Sequence, residues 1–158
     1  PPLGAIYFAW TVSQEEVEAW LLRGNSEHLP DRRHALELVR TRGFLAALKS
    51  PAQAEMKRVL REEGKSRVKA EEDAGRVLQN LEKEIYQPQS ISDDMLYEVD
   101  FIAAPILDEN AESRYSITLS GFENTILGRD IKRYADLLLQ ECGDIMRDGS
   151  IKIVPLRA

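Results

Sequence analysis

Residues 97–121, YEVDFIAAPILDENAESRYSITLSG, decide how this chain folds. Tyr97, Val99 and Phe101 alternate with Glu98 and Asp100, the two-residue period of a half-buried strand. Residues 102–107 then turn wholly apolar, as a strand does when it enters a core. Residues 108–113 are mostly polar and read as a hairpin loop. Residues 114–120 alternate again, with Tyr115, Ile117 and Leu119 on one face and Ser116, Thr118 and Ser120 on the other. From about Gly128 to Arg147 the period lengthens to that of a helix burying Ile131, Tyr134, Ala135, Leu138, Cys142 and Ile145. A strand, a hairpin, a second strand and a helix in that order specify a mixed α/β (α+β) fold. The expected architecture is an antiparallel sheet flanked by helices.

Working outward, the N-terminal half is helical in pattern. Residues 3–10 (LGAIYFAW) form a short apolar run that suits either a buried helix turn or a strand end. Ser13 and Glu16 have the spacing of a capping box, and Val12 and Val17 that of a hydrophobic staple. The helix they open carries Val17, Trp20 and Leu21 on one stripe and runs to about Arg23, with Gly24 placed to end it. Pro30 and Asp31 open a second helix with Ala35, Leu36 and Val39 on its apolar face, closed at Arg42 and Gly43. Residues 44–48 are apolar but too few to classify by period. Ser50 followed by Pro51 starts a helix that extends toward Gly64. A longer one is expected over 67–86, ended by Pro88. Residues 151–156 are an apolar tail suited to a short edge strand or to docking on a neighbour. There is no internal repeat and no low-complexity stretch.

The totals bound what such a chain does. Its 158 residues suffice for one full core and argue for one domain. A formal charge of −6 makes the surface unwelcoming to phosphate, so these residues by themselves are a poor nucleic-acid binder. No run approaches the ~20 apolar residues of a membrane span, and no secretory signal is visible. Lys57, Arg58, Arg61, Lys65, Arg67, Lys69 and Arg76 are nearly balanced by interleaved acids, the pattern of a solvated helix face; the apolar seam at 77–85 also suits a helical hairpin packed on another subunit.

The one cysteine, Cys142, lies on an apolar helix stripe, fits a reducing cytoplasm and suits an inert core thiol better than a nucleophile. His28 and His34 lack the spacing of helical metal ligands, so no metal site and no cofactor are expected. No phosphate-binding loop, dinucleotide fingerprint, nucleophile elbow or zinc-protease motif is present, and no nucleophile, base and orienting group occur together; the chain is read as a binding module and not as an enzyme. Ser116, Thr118 and Ser120 either line a polar pocket, with Gly121 letting a ligand approach the backbone, or face solvent from an antiparallel strand. Asp93 and Asp94, being adjacent, point apart and form no acid–base dyad; they suit a polar turn, or one of them bonds a ligand hydroxyl.

Residues 101–121 also resemble a segment of IclR-type transcriptional regulators whose general form is C-I-A-A-P-V-F-D…S-I-S-G. The matching pieces are Ile102-Ala103-Ala104-Pro105-Ile106, Asp108 and Thr118-Leu119-Ser120-Gly121. Pro2-Leu3-Gly4-Ala5 with Ala9 is similar to the family's P-L-H-A-T-x-x-G stretch, residues 14–22 to the helix after it, and LELVRTRGF (36–44) to the helix ending in R-G-Y. The resemblance covers about two-thirds of the chain, in order.

It implies the C-terminal effector-binding domain of a regulator, GAF-like or profilin-like in fold. Residues 1–158 would form that single domain in part, with an inserted helical pair over 45–89. The expected setting is a cytoplasmic homodimer or homotetramer that binds a small organic effector, carboxylate or aromatic-acid-like, and reaches operator DNA only through an N-terminal winged helix-turn-helix. That module and the first strands of the domain are expected to lie upstream, an expectation that the opening at Pro1 without Met suits.

Carried over position by position, the family's effector-binding residues fall on Gly4, Ala5, Asp93, Asp94, Phe101, Thr118 and Ser120. Phe101 stands where a Cys is usual, Gly4 where a His is common, and Ala9 replaces a Gly. The rival expectation is a non-sensing interaction domain in which Phe101 plugs the pocket and the inserted helices form the interface.

Overall fold

The structure is a computed structural model, and it describes residues 2–11, 13–22, 28–52, 54–55 and 86–148. Three helices open the chain: α1 (Pro2–Phe8), α2 (Gln14–Leu21) and α3 (Leu29–Arg42). Among the described residues five strands follow: β1 (Leu45–Leu48), β2 (Leu96–Tyr97), β3 (Val99–Leu107), β4 (Ser113–Ser120) and β5 (Ile126–Leu127). The last described element is α4 (Gly128–Asp148).

Each helix has a local cause in the sequence. Ser13, in extended backbone, caps α2 by accepting a hydrogen bond from the Glu16 N–H at 3.3 Å. Val17, Trp20 and Leu21 are the side chains α2 buries. Pro30 stands in the first turn of α3, where its missing N–H costs nothing. Gly43 ends α3 in the left-handed region at φ 82°, and its N–H donates to the Val39 carbonyl at 2.9 Å. Residues 3–10, which the sequence left open between helix and strand, lie mostly within α1.

The sheet has the order β1-β3-β4, antiparallel throughout, with a separate two-stranded ribbon of β2 and β5. β3 is the central strand and is buried along nearly its whole length, which is why its sequence from Phe101 to Leu107 is a continuous apolar run. The register pairs Phe101 with Ser120, Ala103 with Thr118 and Pro105 with Ser116, and the intervening pairs are Ile102 with Leu119 and Ala104 with Ile117. Because paired residues share a face, Phe101, Ala103, Ser116, Thr118 and Ser120 all lie on one side of the sheet.

That side is covered by α1, α2 and α3. Ala5, Ile6, Ala9, Trp20, Leu21, Leu36 and Val39 form one cluster with Leu45, Ala47, Phe101 and Ala103. The other side is covered by α4: Ile131 and Ala135 pack with Ala46, Val99 and Ile102, and Cys142 packs with Ala104 and Ile106. The molecule is thus a mixed α/β fold in which helices flank both faces of an antiparallel sheet.

The helical insertion expected over 45–89 does not begin at residue 45: residues 45–48 form β1 and pair with β3. Four apolar residues have no period to read, and only the partner strand distinguishes them from a helical turn. The helix opened by Ser50 is described only at its start, where the Ala54 N–H donates to the Ser50 carbonyl at 3.0 Å. The remainder of that helix, the helix expected over 67–86 except for Tyr86, the Val12 staple, Arg23, Gly24 and the tail at 151–156 lie outside the described residues.

Candidate ligand-binding face

The hydroxyl row of β4 is a surface feature. Ser116, Thr118 and Ser120 are all exposed, on the face of the sheet over which α1 lies. β4 is followed directly by Gly121, in the left-handed region at φ 93° with open space where a Cβ would project. At the other end of the row stands Arg114. Its Nε donates to Asp108 Oδ2 at 2.7 Å, and a second guanidinium nitrogen donates to Glu112 at 2.7 Å.

Asp108 organises this end of the hairpin. One of its oxygens accepts from the backbone N–H groups of Asn110 (2.9 Å) and Glu112 (3.0 Å), while the other holds Arg114. The Arg114 hydrogen bond and the two backbone donors keep the Asp108 carboxyl below its ordinary value, and Asp108 in turn raises the Arg114 pKa. The sequence alternation exposed the row and placed Arg114, two residues before Ser116, in line with it; what the sequence did not show is the bulge, where Leu107 pairs with Ser113 but Ile106 pairs with Tyr115, and the two carboxylates that hold Arg114.

The expected site residues divide into three groups. Thr118 and Ser120 are on the exposed row. Ala5, on the inner side of α1, and Phe101, on β3, are in the core beneath the helical layer, 0% and 9% exposed. Gly4 sits against the Trp20 indole so closely that a Cβ there would lie 2.8 Å from Nε1. Phe101 therefore fills the space between α1 and the sheet and serves packing; contact of Ala5 or Phe101 with a ligand would require α1 to move.

Asp93 and Asp94 stand apart from both. They are exposed in the turn before β2, where Asp93 accepts from Lys132 Nζ at 2.6 Å and Asp94 from Arg129 at 3.3 Å. The same turn caps α4: the Gly128 N–H donates to the Met95 carbonyl (2.9 Å) and the Arg129 N–H to the Asp93 carbonyl (3.2 Å). Tyr97 secures the turn, its hydroxyl accepting from the Ser92 N–H and donating to the Ser90 carbonyl. A Cβ on Gly128 would collide with the Ser92 carbonyl, so only glycine allows this close seating of helix on turn. A groove of about 410 Å³ lies here between Asp93, Arg129, Lys132, Arg133, Asp136 and Gln140, with acids and bases mixed along its walls.

Cys142 is buried, with its thiol toward the Ala104 carbonyl at 3.8 Å, and burial pushes its pKa up, away from a reactive thiolate. His28 lies 3.7 Å from Asp31 on α3, and His34 is exposed on the same helix. Among the described residues there is no cluster of three or more His, Cys, Asp or Glu able to hold a metal ion, and no helix is long and apolar enough to cross a membrane. What the exposed row offers is a line of hydrogen-bond donors and acceptors beside an anchored cation. Comparison with protein-family models, with curated proteins and with solved structures finds no match to this chain.

Proposed function

We propose that this chain is the ligand-sensing and oligomerisation domain of an IclR-type transcriptional regulator, with a GAF-like or profilin-like fold. It binds a small organic acid without a cofactor, catalyses no reaction and acts in the cytoplasm. Operator DNA is bound by a winged helix-turn-helix module outside these 158 residues. The observation that carries the reading is the exposed row of Ser116, Thr118 and Ser120 on the sheet face shared with α1. Hydroxyls there donate to a carboxylate, and α1 is the element whose seating a ligand would bias. Arg40 ties α1 to α3 by donating to the Ala9 carbonyl at 2.6 Å, so a shift of α1 is passed to the helical layer. A ligand that prefers one seating of α1 shifts the equilibrium by its differential affinity and by no more than that.

The test is titration of the purified chain with a panel of aliphatic and aromatic carboxylates, read as a rise in melting midpoint and then by calorimetry. For the acid that binds, Ser120→Ala weakens affinity roughly tenfold, the worth of one hydrogen bond to a charged acceptor, and leaves the unliganded midpoint unchanged. Unchanged affinity in Ser120→Ala removes the row from the site. A second reading, a non-sensing interaction domain, is favoured by Phe101, which packs in the core beneath α1, and by Gly4, which seats α1 closely on Trp20 of α2; it predicts no midpoint shift across the whole panel.

A further inference from the structure

β4 is an edge strand with little to guard it. Among the described residues no strand lies beyond it, and from Tyr115 to Ser120 its register with β3 is unbroken. Along such an edge alternate residues turn their N–H and C=O groups away from the sheet, a ready template for another strand. Natural sheets protect edges with proline, lysine or inward charges. β4 has no proline and no lysine, and its one charge, Arg114, is already neutralised by Asp108 and Glu112. It leaves Tyr115 at 46% and Leu119 at 36% exposed on the α4 side, because α4 lies mainly over β3.

The residue order of this edge suits one occupant in particular. Tyr115-Ser116-Ile117-Thr118-Leu119 is a palindrome in chemical type: apolar, hydroxyl, apolar, hydroxyl, apolar. An isologous two-fold contact requires a surface complementary to itself. Antiparallel pairing about Ile117 sets Tyr115 opposite Leu119 of the second copy, Ser116 opposite Thr118, and Arg114 opposite Ser120, so no like charges meet. Aromatic–aliphatic and hydroxyl–hydroxyl pairs are the favourable cross-strand combinations.

We infer that two copies of this chain pair through β4, antiparallel and centred on Ile117, to make one continuous six-stranded sheet. The hydroxyl rows of the two copies then lie side by side on the α1 face, and each ligand shelf is bordered by the other copy. This deepens the oligomerisation half of the proposed function and rests on nothing about the ligand. A negative carboxylate panel leaves it standing, and a monomer leaves the sensing reading standing.

A six-residue edge spans about 20 Å and buries less than the ~1,600 Å² of a standard interface, so the dimer should dissociate on dilution. Sedimentation velocity across a dilution series should show a monomer–dimer equilibrium. Leu119→Lys, at an exposed position, should weaken it at least tenfold with an unchanged melting midpoint. Under mild oxidation a mixture of Tyr115→Cys and Leu119→Cys chains should cross-link, while Tyr115→Cys alone should not, since in this register position 115 never meets itself. A wild-type chain monomeric throughout, Leu119→Lys dimerising as wild type does, or Tyr115→Cys cross-linking by itself would each overturn the inference. A monomer whose outward β4 amides resist hydrogen exchange would show the edge covered from within its own chain, which overturns it equally.

Discussion

Single residues set tolerances that their neighbours cannot relax. Gly4 is in a helix, where alanine is ordinarily worth up to about 1 kcal/mol over glycine. Here the added Cβ would meet the Trp20 indole at 2.8 Å, and that ring is itself stacked on Phe8 at 5.1 Å and buried. Overpacking therefore outweighs propensity, and Gly4→Ala should destabilise by about 1–3 kcal/mol in urea unfolding. Gly143→Ala on α4, where a Cβ meets nothing within 4 Å, should have the opposite sign. Equal effects at the two positions would mean that α1 does not sit on Trp20 as described. The glycine at position 4 is visible in the sequence, whereas its reason is not: the indole that excludes a side chain comes from another helix.

At the scale of elements, the β3–β4 hairpin depends on one carboxylate. Asp108 accepts two backbone N–H groups and the Arg114 guanidinium in its ionised form, and its folded-state pKa is depressed for that reason. The unfolded chain binds this proton at about pH 3.9, more readily than the folded one. The stabilisation is thus complete above that pH and is lost as pH falls through the lower folded value. Asp108→Asn should lower the melting midpoint near neutrality, and the two curves should converge in acid. A gap that stays constant down to about pH 2 would show that the ionised carboxylate is not what holds the turn. The hairpin was legible because alternation, a polar interruption and renewed alternation leave one economical arrangement. The ribbon of β2 and β5 was not, since two residues in each strand carry no period; it exists because the turn at residues 92–95 is seated on α4.

For the whole molecule, the decisive contacts are between layers. Cys142 joins Ala104 and Ile106 of β3 to α4 and is 1% exposed, so it reports whether α4 leaves the sheet. Its labelling by a thiol reagent under native conditions should be slow, and should accelerate in urea in parallel with global unfolding. Complete labelling within seconds in native buffer would show that α4 is not fastened along its length.

The split between what the chain's order determines and what its folding decides follows from the range of the interactions involved. Helix caps at Ser13 and Gly43, the amphipathic stripes of α2, α3 and α4, and the alternation of β4 act within a few residues, and each was readable from the sequence alone. The sequence likewise marked Thr118 and Ser120 as one polar face. Tertiary structure alone decided that this face lies on the same side as α1, that residues 45–48 are a strand, and that Phe101 and Ala5 are packed in the core. It also put Asp93 and Asp94 on the end of α4 and fastened Arg114 to Asp108 and Glu112. Those outcomes depend on strand register and on which helix covers which face, long-range choices that no local period encodes.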